Sequence, residues 1–427
     1  MRGRNMYYKK ANMSTAIAIT CGIAFGLTGY GMAAPLKTVP WNGHIGAVSF
    51  TFDDALETQF LNLKPLLDAM PDVHVTFFLS AYQNRLYDNA EGFAALANSG
   101  NEMGNHTITH WYLPQETDEE LEEDVVKFAD TIETTLAKYG ADVQVVSFAT
   151  PFCNNGDHVK EFINKRHLIN RDGGFDNDGR NDWNTEPDWM SMKAKVWTRD
   201  GTSVNEMLRA LDTAAFIGTF SNTNPSEPQI TDGSWVVFLH HDVSEKQTDS
   251  YAINPDDIKT LFQRAVWNKL WVAPFGTVGA YYRAHFTFDN ATMAKLDDGG
   301  YSVKWEIPHK HMPKSVPLRV RIDTTQVSSK TTLEQDGKVL TPESDGTYII
   351  EFMSKSLVMR NTGEVSIPKA IKAQQFKAAY RYTLFDLKGH MLGKVDGFKV
   401  PQSYPKGIYL IRAEAKGMPT VTKKVAK

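Results

Sequence analysis

Apolar positions change their spacing along the chain. From Gly46 to about His285, short runs of consecutive apolar residues alternate with stretches of helical period. Ala47-Val48-Ser49-Phe50-Thr51-Phe52 is a nearly unbroken apolar run, the pattern of a strand covered on both faces. Glu57 to Met70 predicts a helix, and Val73 to Leu79 a second strand. The clearest helix runs from Thr117 to Tyr139. Thr117 and Glu120 form a capping box, Leu121, Val125, Phe128, Ile132 and Leu136 mark one face, and Gly140 ends it. Val143 to Phe148, Val236 to Leu239 and Trp271 to Ala273 predict further strands. Alternation of this kind over some 240 residues predicts a parallel α/β barrel, with chemistry where strands give way to loops.

After Phe286 the helical period fades. Short alternating strands follow at Tyr301 to Ile307, Leu318 to Ile322 and Tyr348 to Phe352, separated by Asp298-Gly299-Gly300, Asp336-Gly337 and Asp345-Gly346 turns. This predicts a β-sandwich. A last lysine-rich stretch, from about Ile367 to Lys427, predicts another small β unit. A chain of 427 residues needs more than one domain, since a single core rarely outgrows about 250–300 residues. The divisions are residues 1–34, 40–285, 286–362 and 366–427.

The first 34 residues stand outside this scheme. Arg2, Arg4, Lys9 and Lys10 form a basic head, Ala16 to Leu27 an apolar stretch, and Gly31, Ala33 and Ala34 a small-residue cleavage region. That order is a signal peptide. The apolar stretch is shorter than the roughly 20 residues a membrane span needs, so no stable span is expected. Ala18-Ile19-Thr20 is a poor approach to a lipid-modified Cys21. Without the leader, Cys153 is the sole cysteine, so packing alone must hold the core; the expectation is a small buried residue. The net charge of −4 gives no general basicity that would suggest nucleic acid.

Three clusters carry candidate chemistry. Asp53 and Asp54 end the first predicted strand, and two adjacent carboxylates there repel unless a cation compensates. On extended backbone their side chains diverge, so one can bind a metal while the other faces its water. Alone, the pair also suits a solvated turn or helix N-cap. His106-Thr107-Ile108-Thr109-His110 sets two imidazoles at i and i+4, one face of a helical turn. Two histidines and a carboxylate leave a coordination position open, the geometry of catalytic zinc. Finally, His240 and His241 end the Val236–Leu239 strand, and either can serve as an acid titrating near neutrality.

The order Thr51-Phe52-Asp53-Asp54, His106-Thr107-x-x-His110, a Pro151-Phe152 loop and Leu239-His240-His241 resembles the polysaccharide deacetylase family (NodB-homology, carbohydrate esterase family 4) over residues 45 to 285. The resemblance implies a distorted (β/α) barrel. It implies Asp54, His106 and His110 as ligands of a divalent metal, usually zinc and sometimes cobalt, Asp53 as catalytic base and His241 as acid. His240 is the residue to test against His241. The backbone N–H of Phe152 would stabilise an oxyanion. Ala149 stands where the family has an arginine beside its base, and Arg171 is the candidate replacement. Pro151 and Trp189 are substrate-binding candidates, with Trp183 second for the tryptophan role.

The last 60 residues resemble the sorting domains of type IX-secreted proteins, through Tyr382 to Gly389 and Pro405-Lys406-Gly407-Ile408-Tyr409. That implies a partner in the secretion machinery and a secreted or cell-surface location; a carbohydrate-binding or spacer module is the other reading of this tail. The function implied is removal of acetyl groups from a polysaccharide, either acetylated xylan or the N-acetylglucosamine of chitin or peptidoglycan. The alternative, prompted by Ala149, is a weak or inactive barrel that only binds carbohydrate.

Overall fold

The computed structural model describes residues 32–173, 179–198, 201–215, 233–246, 250–297, 300–324, 327, 330–361, 381–386, 390–395, 399–401, 403–414 and 421–426. Of the predicted leader, residues 1–34, the first 31 lie outside them, whereas 32–34 join the described fold. Met32 and Ala33 pair with Met293 and Thr292. No helix among the described residues is long and apolar enough to cross a membrane.

Strand β1 (Ala47–Asp53) is buried at every position and sits centrally in a sheet that has nine strands among the described residues. The others are β2 (Thr76–Leu79), β3 (Glu102–Asn105), β4 (Ser147–Ala149), β5 (Ile169–Arg171), β6 (Arg180–Asp182), β7 (Lys195–Val196), β8 (Ser234–His240) and β9 (Trp271–Val272). Their order is β5-β4-β3-β2-β1-β8-β6, with β9 beside the start of β1 and β7 beside β8. Among the described residues every pairing is parallel except that of β6 with β8. The sheet curls: Met192 bridges Arg171 at the end of β5, and four residues later Val196 pairs with Leu239 of β8. The stretch 192–196 thus links the two flanks, giving the distorted barrel.

Helices α1 (Glu57–Asp68), α2 (Ala90–Asn98), α3 (Phe128–Ala137), α4 (Asp157–Arg166), α5 (Val204–Ala214), α6 (Pro255–Trp267) and α7 (Phe275–Phe288) alternate with the strands. Leu63, Phe93, Ile132, Leu211 and Phe262 from five of them share one apolar cluster with Val48, Phe50, Phe77 and Phe238 of the sheet. Full burial of each such side chain is worth about 1.5–3 kcal/mol. At the start of α7, half-buried Glu102 accepts from the Gly276 N–H at 2.7 Å, from Thr76 Oγ1 and from Ser147 Oγ. A Cβ on Gly276 would lie 2.1 Å from that carboxylate, so only glycine fits.

Elements are shorter than their apolar runs. The strands expected at Val73 and Val143 begin at Thr76 and Ser147. The helix expected over Thr117–Tyr139 has its capping box and its buried face, but Glu122–Lys127 is a π-helical stretch between Asp118–Leu121 and α3.

Beyond α7, two antiparallel sheets form the sandwich. One holds Thr292–Lys295, Tyr301–Lys304, Thr331–Gln335, Lys338–Val339 and Ser356–Asn361 with Met32–Ala33; the other holds Pro317–Ile322, Tyr348–Glu351 and Leu36–Thr38. Their inner residues Leu318, Ile350, Leu333 and Leu357 join a cluster that also contains Phe275 and Tyr282 of α7 and Val237 of β8. Among the described residues the final unit is an antiparallel sheet of Arg381–Phe385, Met391–Val395, Ile408–Glu414 and Val421–Ala426.

Candidate active site

The carboxyl ends of β1, β3, β4, β7 and β8 meet at a cavity of about 510 Å³ lined by Asp53, Asp54, His106, His110, Phe152 and His241, among others. Parallel barrels place their loops together on this face. Sequence-distant residues therefore become neighbours.

One ligand atom each from Asp54, His106 and His110 lies within 4.8 Å of the others. Asp54 Oδ1 is 3.3 Å from His110 Nε2 and 3.6 Å from His106 Nε2. Bonds of about 2 Å at tetrahedral angles would set neighbouring ligands roughly 3.3 Å apart, so the trio fits a single ion. Two further features agree. Asp54 Oδ1 is buried without a hydrogen-bond partner among the described residues. His106 Nδ1–H donates to the Ala149 carbonyl at 2.8 Å, which turns the Nε2 lone pair toward the trio. Burial, with His110 close by, holds His106 well below its ordinary pKa, so the ring is neutral as a ligand must be.

The two histidines do not converge as i, i+4 residues of a helix. They lie in a loop after β3 in which Thr107 has φ 68° and His110 φ 53°. Left-handed backbone at β-branched Thr107 is costly, and the surroundings enforce it. Asn105 Oδ1 accepts from the Thr107 N–H at 2.8 Å, Ala81 N–H donates to the Thr107 carbonyl at 3.2 Å, and Thr107 Oγ1 accepts from His110 N–H at 2.9 Å. Asp54 is likewise not extended: φ is 79° there and 55° at Ala55. The two aspartates separate because the chain turns at Asp54, not because a strand alternates. Phe152 (φ 58°) and Cys153 (φ 52°) make a third strained turn on the same rim.

Asp53 is buried. Arg171 Nη2 donates to its Oδ2 at 2.6 Å, while its Oδ1 has no partner among the described residues. Arg171 is fully buried, and it stands directly beside Ala149 in the β4–β5 register. The arginine next to this carboxylate therefore comes from the neighbouring strand. Its Nε and Nη1 lack partners among the described residues, and its guanidinium lies 5.2 Å from the Phe78 ring.

Of the two histidines after β8, His241 lines the cavity, with its ring centroid 4.8 Å from that of Tyr251. His240 points into the layer between sheet and helices, its ring 5.1 Å from that of Phe52 and stacked near Phe50, and burial pushes it down to about 3. Near neutrality the ring is uncharged and lacks the acidic proton of an imidazolium.

Four expectations change. Trp189 does not line the cavity. It packs on Tyr282, Phe286 and Arg283 and lines a separate depression with Lys160. Trp183 is buried against His285 and Trp41 in the core. Cys153 is only partly buried and lines the cavity, its thiol pushed up by burial to about 11. Pro151 is buried beneath Phe152, which is 62% exposed with its ring 4.9 Å from that of His110.

Sequence patterns gave no signal for Arg85, whose Nη1 is 3.4 Å from Asp54 Oδ2, or for Tyr251. They also missed Gln59, whose Nε2 donates to the carbonyls of both Asp53 and His241. Only a position shortly after a strand end could have marked Arg85 and Tyr251.

Residues 42–167 match the family model for polysaccharide deacetylase. This stretch is a polysaccharide deacetylase domain. It includes Asp53, Asp54, His106, His110 and Phe152 but ends before Arg171 and His241. Among solved structures, the chain is similar to the family 4 carbohydrate esterase domain of a multidomain xylanase from the hindgut metagenome of Trinervitermes trinervoides. That match has 14% identity over 58% of this chain and 94% of the other, with a TM-score of 0.37. The family 4 carbohydrate esterase from Streptomyces lividans matches at 15% identity over 53% and 91%, with a TM-score of 0.33. A family 4 pseudoenzyme from Bacillus anthracis matches at 15% over 55% and 65%, with a TM-score of 0.35. No curated protein matches the chain.

Proposed function

We propose that this chain is an exported, metal-dependent hydrolase that removes acetyl groups from a polysaccharide. The observation that carries the reading is the convergence of Asp54, His106 and His110 beside a buried Asp53 that has one carboxylate oxygen uncommitted. A divalent ion held by the trio, zinc above all given two imidazoles and a carboxylate, with cobalt an alternative, supplies Lewis acidity towards a carbonyl and lowers the pKa of water. The remaining work falls to side chains and backbone. Asp53 takes a proton through Oδ1 while Arg171 holds Oδ2 and fixes the carboxylate's orientation. The Phe152 N–H is the donor for the oxyanion. His241, at the cavity wall, protonates the departing sugar oxygen or nitrogen.

The Arg171–Asp53 contact supports an active enzyme over a barrel that only binds carbohydrate, because Ala149 was the reason to doubt the base. The acetyl group is carried on an ester, as in xylan, or on an amide, as in chitin or peptidoglycan. Acetate release from a panel of acetylated polymers, with chelator and after zinc or cobalt is restored, tests the reading. Release that chelator abolishes and metal restores is the expected result; none from any polymer by metal-loaded protein defeats it. The basic and apolar head and the sorting-like tail support export and a secreted or cell-surface location, which fractionation of the native host checks.

A further inference from the structure

Asp54 is gripped from two sides. Its Oδ1 faces His106 and His110, and its Oδ2 faces Arg85 Nη1 at 3.4 Å. Arg85 opens a one-turn helix (Arg85–Asp88) in the β2–α2 connection, after Gln83 (φ 54°) and Asn84 (φ 66°) turn the chain. The guanidinium is itself fixed. Nη2 donates to Gln83 Oε1 at 3.0 Å, and the group sits 5.5 Å from the centre of the Tyr82 ring. Tyr82 in turn lies 6.0 Å from the His110 ring. The connection is tied down by the Ala81 N–H bond to the Thr107 carbonyl and by Asn89 Nδ2 donating to the Ala55 carbonyl. Both strained turns that carry ligands are thus fastened to the segment that carries Arg85.

We infer that Arg85 is a positioning residue for the metal ligand Asp54: it occupies Oδ2 and so presents the carboxylate through Oδ1 alone. Arg85 is not among the residues lining the cavity, so it acts through Asp54 rather than on substrate. A free carboxylate can swing or chelate an ion through both oxygens, and a guanidinium held by Gln83 and Tyr82 removes that freedom. Asp54 would then fill one coordination position instead of two, keeping open the position a hydrolytic site needs. The charge of Arg85 also opposes the incoming cation, so positioning and repulsion predict opposite effects of its removal. That makes the inference decidable.

The inference rests on the trio being a metal site, and the experiment separates the two. Metal affinity is measured by chelator competition for the full chain, Arg85→Met and Arg85→Lys, with visible spectra of the cobalt-loaded forms and circular dichroism to check folding. The expected result is about tenfold weaker binding in Arg85→Met, the scale of an outer-shell ligand partner. A weaker cobalt band should show that the ion has gained a ligand. Arg85→Lys should shift both readouts in the same direction by less, and it carries the test if the methionine variant does not fold. Affinity equal to or tighter than the original in the folded variants overturns the positioning role. An original chain that takes up neither zinc nor cobalt overturns the metal reading itself.

Discussion

At the scale of single residues, the site divides labour between atoms a few ångströms apart. Asp53 offers Oδ1 and leaves Oδ2 to Arg171, whereas Asp54 offers Oδ1 and leaves Oδ2 to Arg85. Asp53→Asn keeps the three candidate ligands and the volume but removes the proposed base. We expect metal content unchanged and turnover down by about 10²–10⁴-fold, the usual worth of general base catalysis; metal analysis and acetate release measure both. His110→Ala removes one of the three proposed ligands, and dialysed protein should come out metal-depleted by elemental analysis. His240 and His241 separate cleanly. His241→Ala should cost about 10²-fold or more in kcat, while His240→Phe, in a pocket already lined by Phe50 and Phe52, should keep activity within a fewfold.

At the scale of elements, strand ends are pinned by neighbouring helices. Gln59, in the first turn of α1, donates to the carbonyls of Asp53 and His241, so one amide joins the end of β1 to the end of β8. The proposed base and acid are thereby tied to one side chain. Gln59→Leu conserves volume but leaves two carbonyls short of a donor. It should cost about 1–3 kcal/mol in urea unfolding and lower kcat more than KM. The π-helical stretch before α3 serves the histidine loop similarly. Asn105 Nδ2 donates to the Val125 carbonyl at 2.9 Å, and buried Asp124 accepts from Thr109. A widened turn frees and re-aims groups that a regular helix would commit to itself.

At the scale of the whole molecule, barrel and sandwich share material. Leu36–Thr38, ahead of the barrel, pairs with Pro317–Ile322 of the sandwich. Asp289 accepts from Thr38 N–H and Oγ1, both at 2.9 Å. Helix α7 is buried around most of its circumference, against the sheet on one side and the sandwich on the other. Ending the chain after Phe288 would expose that second face and unpair Leu36–Thr38; we expect a lower thermal midpoint and aggregation by light scattering. Acid should also weaken the fold. His240 is held at about 3, and His167 well below its ordinary value, both chiefly by burial. The unfolded chain takes up those protons first as pH falls below about 6.5, so stability present above that pH is lost on descent towards the folded values. His240→Phe should narrow the difference between urea midpoints at pH 7 and pH 5.

Local patterning carried far in this sequence. Apolar runs ending in Asp53-Asp54 and His240-His241 placed carboxylates and imidazoles at strand ends, because a parallel sheet covered on both faces leaves no ambiguity about which residues are inside. The capping box at Thr117 and the buried face from Leu121 to Leu136 were legible for the same reason: each depends on neighbours within a turn or two of chain. Three things depended on the tertiary structure. The histidines meet through a strained loop held by Asn105 and Ala81, not through helical spacing. Arg171 reaches Asp53 because β5 lies beside β4, a register no sequence interval encodes. Trp189, read as facing sugar, faces Tyr282 and Phe286 because α7 packs there. Residue types at strand ends were set by the order of the amino acids; which of them touch was set by strand order, loop strain and helix packing, all of which act between segments far apart in the chain.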